Sequence, residues 1–381
     1  MILHPAVIAL LASSVAIAGL VLYSARLGVT ILRRWDLSSG SELQLALERR
    51  TYLVSTILTN AFGFQLVSLF LFVFTADRLH TQFVGAMCAA GTLNVDPSGY
   101  PALLLKLATF VLAGLWLILN HVDTRAYDYP LVRVKYAALL LLAPVLLVEL
   151  VVQGDYLLSL EPNVITSCCG SLFTSDAHGV AADLAALPAR PTSIAFFIVL
   201  GVTCLSGLVF WHWRRGGYLV ALLSAASLVV SLAAIVSFIS PYVYEMPSHH
   251  CPFDILQGGY HWIGYPLYLL LGAGTLAGMG VGALMPFRRI PSLQRVAPQI
   301  QRHLALASAI LLALFTATTV WVVVTSDLSL LTGAMFAIAP MLRCGERRSE
   351  SRRPVHAWKQ SHAKTPPPVS PCKVATDTNL T

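Results

Sequence analysis

His249, His250 and Cys251 stand side by side in Met246-Pro-Ser-His-His-Cys-Pro-Phe-Asp254, between two long apolar runs. Thiol and imidazole together support two chemistries. A thiolate attacks a disulfide and needs a second thiol to resolve the mixed species, and a neighbouring imidazolium makes that thiolate easier to form. The same donors are ligands for soft or borderline ions such as Cu(I) and Zn(II). Cys88 and the vicinal pair Cys168-Cys169, in Ile165-Thr-Ser-Cys-Cys-Gly-Ser171, supply three more thiols, and His80, His178 and His261 lie close to them or to Cys251 in the chain.

These residues leave three main readings open. In a thiol-disulfide relay, Cys88 pairs with Cys251 and Cys168 with Cys169, electrons pass to a lipid-soluble quinone, and the outside partner is a thiol protein of the periplasm. The departure from that chemistry is the lack of a Cys-x-x-Cys, since Cys251-Pro-Phe-Asp254 has Asp where the second Cys would stand. In a soft-metal site, Cys88, His249, His250 and Cys251 hold copper, zinc or a similar ion handed on by a carrier protein, with Glu149 passing it inward; no C-x₂-C with H-x₃-H spacing accompanies them. In the third, the four cysteines are structural disulfides of an oxidising compartment. A haem held by His121 and His212 is a fourth idea, weaker because Trp and His are at home at a membrane interface. The relay is the reading carried forward.

The elements that must position these residues are helices in a bilayer. The chain of 381 residues is 56% hydrophobic and only 11% charged, less than half the charge of an ordinary soluble domain. Continuous apolar runs, rather than alternating ones, favour helices over a barrel. Runs of roughly 20 residues cross a bilayer as helices, which predicts an all-α polytopic membrane protein with spans near 5–31, 52–76, 102–121, 136–153, 193–212, 218–240, 263–286 and 304–325.

Arg33, Arg34, Arg49 and Arg50 follow the first run and no Lys or Arg precedes it, so the N-terminus is predicted outside. The alternation then holds. Arg125, Arg133, Arg214, Arg215, Arg288, Arg289, Arg295 and Arg302 fall in inner loops, while the outer loops carry little beyond Arg78 and Arg190. Every outer loop between spans two and seven holds a cysteine, which puts the thiols on the outer face of what reads as a bacterial cytoplasmic membrane. A short apolar segment, 327–342, would act as a ninth segment and return the tail 343–381 inside. That tail has eight Lys/Arg against three acidic residues and a Pro-Pro-Pro at 366–368; it reads as disordered, and its charge suits anionic lipid headgroups better than nucleic acid.

An internal repeat gives the spans an order. Gly99-Tyr-Pro101 opens the third span and Gly264-Tyr-Pro266 the seventh, and Cys88 and Cys251 precede them by eleven and thirteen residues. This predicts two parallel four-helix repeats, 1–153 and 193–326, joined by an outer loop 154–192. Within them Lys106 and Glu149 read as headgroup anchors, Asn60 and Gln65 as hydrogen bonds between helices, and Gly274-x-x-x-Gly278 as a close-packing face. Walker, dinucleotide, H-E-x-x-H and G-x-S-x-G motifs are absent, and no loop is long enough to form a soluble catalytic domain.

Overall fold

The computed structural model describes residues 4–35, 41–162, 164–166, 180–328 and 330–331, without the side chains of 180–182. Cys168, Cys169, His178, the tail and nearly all of the short apolar segment fall outside the described residues. So does all of a second unit, Ala337–Thr381.

Eight long apolar helices account for most of the described chain: α1 Pro5–Arg34, α2 Glu42–Leu79, α3 Gly99–Asp123, α4 Val132–Ser159, α5 Ala189–Trp213, α6 Gly217–Tyr244, α7 Gly264–Ala283 and α8 Val296–Thr325. Each is long and apolar enough to cross a membrane, and no strand occurs among the described residues. The protein is therefore an all-α multi-pass membrane protein. The helices overrun the apolar runs where a cap holds the next turn. Ser41, for example, accepts a hydrogen bond from the Gln44 N–H at 3.3 Å and starts α2 well before its apolar stretch.

Packing follows one order in both halves. In the first, α1 packs on α2, α2 on α3, α3 on α4 and α4 back on α1; in the second, α5, α6, α7 and α8 close in the same sequence. The halves meet chiefly along α3 and α7. There Gly272 faces Phe110, Gly114 faces Leu276 and Gly280 faces Ile118. The contacts climb four residues at a time on both helices, so α3 and α7 run parallel. Gly278 and Gly282 serve the other sides of α7. A Cβ on Gly278 would overlap Ser224 of α6 and crowd Ser308 of α8, and one on Gly282 would meet Ala221. The glycine run is a packing face, as its spacing implies.

The two interiors differ in chemistry. Lys106 and Glu149 do not reach out to headgroups: they are buried and pair with each other at 2.6 Å. Gln65 does bridge helices, donating to Glu149 Oε2 at 2.7 Å and to Thr109 Oγ1 at 3.1 Å, and Ser68 accepts from the Lys106 ammonium at 2.6 Å. Asn60 instead bonds its own helix, at the Thr56 carbonyl. The reason for the anchor reading's failure is geometric. Both charged residues face the centre of the ring, where a partner satisfies them at less cost than a stretched side chain reaching for water. A second buried pair, Lys135 with Asp123 at 2.7 Å, lies at the other end of α3 and α4. Phe62 and Trp116, edge to face with centroids 4.9 Å apart, pack in the core of this half. The second half buries small hydroxyls and aromatics instead, with Phe196 against Phe238 and Phe315.

A candidate dithiol site

Cys88 and Cys251 come together, although 163 residues separate them in the chain. Their Sγ atoms are 3.3 Å apart and both residues are fully buried. Each is set by a short turn that folds back onto the start of a long helix. Cys88 caps the helix Ala89–Leu93, and Cys251 precedes the 3₁₀ turn Asp254–Leu256. A Cβ on Gly99 would lie 2.1 Å from the Leu93 carbonyl oxygen, and one on Gly264 would lie 2.9 Å from that of Ile255. The glycine of each Gly-Tyr-Pro is thus there for close approach between backbones, beyond the turn that the sequence suggested.

Asp254 is the residue the sequence reading undervalued. A carboxylate oxygen of it and the two Sγ atoms all lie within 4.8 Å of one another. The position that lacks the second cysteine of a Cys-x-x-Cys therefore places a carboxyl group beside the thiols. Asp254 Oδ2 also pairs with His249 Nε2 at 2.7 Å. The His249 ring sits edge-on to Tyr244 at 4.5 Å, and Tyr244 donates its hydroxyl to the Cys251 carbonyl at 2.6 Å. Tyr268 does the same to the Pro252 carbonyl at 2.7 Å, and the Phe253 N–H points to Cys251 Sγ at 3.5 Å. Tyr260 meets Tyr244 edge to face, with centroids 4.7 Å apart. Burial, then the neighbouring acidic groups of Asp254 and Cys251, pushes its phenol above the ordinary range.

His250 is used differently. α6 passes through a π-helical segment, Ile235–Ile239, in which the Ser240 N–H reaches back to the Ile235 carbonyl. Continuing that register, the Val236 carbonyl would look to residue 241, which is Pro241 and has no N–H to give. His250 donates from Nδ1 to Val236 at 2.9 Å instead. This assigns the proton to Nδ1, because a carbonyl only accepts, and it ties the Cys251 loop to α6.

The remaining histidines lie elsewhere. His80 engages the Asp77 carbonyl of its own turn. His261 is exposed in a left-handed turn position. His121 lines a cavity at the other end of α3, and His212 packs on Trp213 at the end of α5, so nothing brings these two together as a haem pair. Glu149 is held by Lys106 within the first half, as described above. The chain leading to the vicinal cysteines is partly visible. Val84 and Ile165 form a β-bridge, and Thr166, two residues before Cys168, donates to the Gly91 carbonyl in the short helix that Cys88 caps.

Against the Cys251 loop, between the halves, is an apolar cavity of about 240 Å³ that neither cysteine lines. Phe70 of α2, Leu107 and Phe110 of α3, Val236 of α6 and Tyr268 of α7 line it, with Pro252 and Phe253 from the Cys251 loop. Hydropathy alone carried no sign of it, because a cavity depends on which apolar faces fail to meet. The arrangement can join two thiols as a disulfide, hold a three-donor ion, or place a flat apolar molecule against Pro252 and Phe253 of the Cys251 loop. Comparison of the whole chain with family models, with curated proteins and with solved structures finds no match in any of the three.

Proposed function

We propose that the protein is a membrane thiol-disulfide oxidoreductase whose Cys88 and Cys251 cycle between dithiol and disulfide, with a quinone as electron acceptor. The observation that carries this reading is the buried pair of sulfurs at 3.3 Å, with an apolar cavity reaching the adjoining Pro252 and Phe253. In the oxidising step the two S–H bonds break, one S–S bond forms, and two electrons and two protons reduce the quinone to quinol. Asp254, paired with His249, is the base nearest the thiols. The disulfide is then consumed by exchange with Cys168-Cys169, which oxidise a thiol protein outside the membrane. The contacts of Val84, Gly91 and Thr166 support that handover by holding the lead-in to the vicinal pair against the Cys88 turn.

The same reading places the cysteine end outside a bacterial cytoplasmic membrane, because the arginines gather at the opposite ends of the helices. It treats the halves as two parallel repeats, supported by their shared packing order and the parallel α3 and α7. A soft-metal site is the second reading. It is favoured by Asp254 as a third donor, with His249 orienting the carboxylate from behind.

Trapping the thiols of native membranes with an alkylating mass tag, with the quinone pool oxidised or reduced, tests the proposal. The expected result is a Cys88–Cys251 disulfide that forms with oxidised quinone, opens with reduced quinone, and is lost in Cys251→Ser. A disulfide indifferent to quinone state and to mild reductant would leave only a structural bond. Thiols accompanied by one equivalent of metal, absent in Cys251→Ser, would transfer the site to the second reading.

A further inference from the structure

At the arginine-rich end of the first half, a cavity of about 490 Å³ opens between α2, α3 and the turn that joins α3 to α4. Its charge runs against its surroundings. Arg33, Arg34, Arg49, Arg125 and Arg133 all belong to this end of the half, yet none of them lines the cavity. The charged residues that do are Glu48, Asp128 and Lys135, two carboxylates and one ammonium, and the ammonium has a carboxylate partner of its own outside the lining.

Lys135 is already neutralised. It pairs with Asp123 at 2.7 Å and donates to Asn120 Oδ1 at 3.1 Å, while Asp123 Oδ1 accepts the Leu131 N–H at 2.7 Å. The surplus negative charge therefore belongs to Glu48 and Asp128. Asp128 Oδ1 is shielded from solvent and receives no hydrogen bond among the described residues, an arrangement that costs free energy unless something else satisfies it. The walls are aromatic and hydroxylic, with Tyr52, Tyr127 and Tyr129 beside Thr56 and Thr59. Ring faces attract cations, and hydroxyls accept from ammonium hydrogens. A volume of this size suits a small organic molecule and is far larger than a bare ion needs.

We propose that this cavity binds a small organic amine, with an ammonium group between Asp128 and Glu48 and its hydrocarbon against the tyrosine rings. The site is separate from the dithiol, and it makes the first half a ligand-binding unit at the opposite end of the helices. It explains why a stretch of negative charge persists where topology favours arginine.

The test is calorimetric titration of the full-length protein in detergent with 1,4-diaminobutane, and with succinate as a ligand of similar length and opposite charge. Saturable one-site binding of the diamine is expected, and none of succinate. Asp128→Asn and Glu48→Gln should each weaken binding about tenfold or more, the loss of one charged hydrogen bond, whereas Arg302→Gln in the second half and Cys251→Ser should leave it unchanged. Thermal unfolding midpoints matching the parent's establish that the variants are folded; should Asp128→Asn fail that check, Tyr52→Ala takes its place with the same weakening expected. No saturable binding of the diamine by the parent protein, equal binding by the folded variants, or succinate binding in its place would overturn the proposal. Because Cys251→Ser is included, failure here is distinguishable from failure of the redox reading.

Discussion

Lys106 and Glu149 show how much a single buried partner matters in this molecule. Their ion pair at 2.6 Å has no water to replace either member, since the side chains are 0% and 2% exposed. Glu149→Ala would leave an ammonium buried against Ser68 alone, and is expected to cost about 3–5 kcal/mol, measured as a lowered thermal midpoint in detergent. Replacing both, Lys106→Met with Glu149→Leu, should restore most of that loss, because an apolar pair of similar volume carries no desolvation cost. A double variant as unstable as the single one would mean that the charges do more than balance each other. At this scale the sequence was only half legible. The offset between Cys88 and Cys251 from their Gly-Tyr-Pro motifs foretold the pair. Asp254 carried no such signal, because a lone carboxylate becomes notable only when Cys88, from another part of the chain, arrives beside it. His250 was visible as a candidate ligand, but its bond to Val236 depends on a π register upstream of Pro241 that periodicity does not reveal.

Among the elements, α7 is the most constrained. It packs on α6, α8 and α3 at once, and its glycines are the places where neighbours come closest. A methyl at Gly278 would sit 1.9 Å from Ser224 Oγ and 2.8 Å from Ser308 Oγ, so both helices would have to give way. Gly278→Ala is expected to destabilise by about 1–3 kcal/mol, read from thermal unfolding, and Ser224→Gly in the same chain should recover part of it. An unchanged midpoint in the single variant would show that α6 shifts freely. The glycine spacing announced this face in advance. Short turns were harder to read: Ala89–Leu93 and Asp254–Leu256 are too brief for any hydrophobic period, yet they are what carry the cysteines to each other.

For the whole molecule, the eight spans were legible because a bilayer demands long unbroken apolar runs, and such runs are hard to mistake. What hydropathy could not provide is the neighbour of each helix, and hence the lysine–carboxylate pairs and the cavities, which are properties of faces rather than of lengths. Orientation is accessible by labelling. With a thiol reagent that cannot cross membranes, on a background in which the native cysteines are serines, His261→Cys should react from outside intact cells and Thr124→Cys only after permeabilisation. Both positions are exposed and lie at opposite ends of the helices. The reverse pattern would invert the topology and with it the proposed side of thiol exchange.

The two lysine–carboxylate pairs join the same two helices. α3 contributes Lys106 and Asp123, and α4 contributes Glu149 and Lys135. Either helix entering lipid alone would bring its charges unpaired, and the cost falls mainly on Lys106 and Glu149, which lie inside their helices, rather than on Asp123 and Lys135 at the ends. Folded against each other, the two cancel their charges pair by pair. The α3–α4 hairpin is therefore the smallest part of the first half in which both lysines have their carboxylate partners.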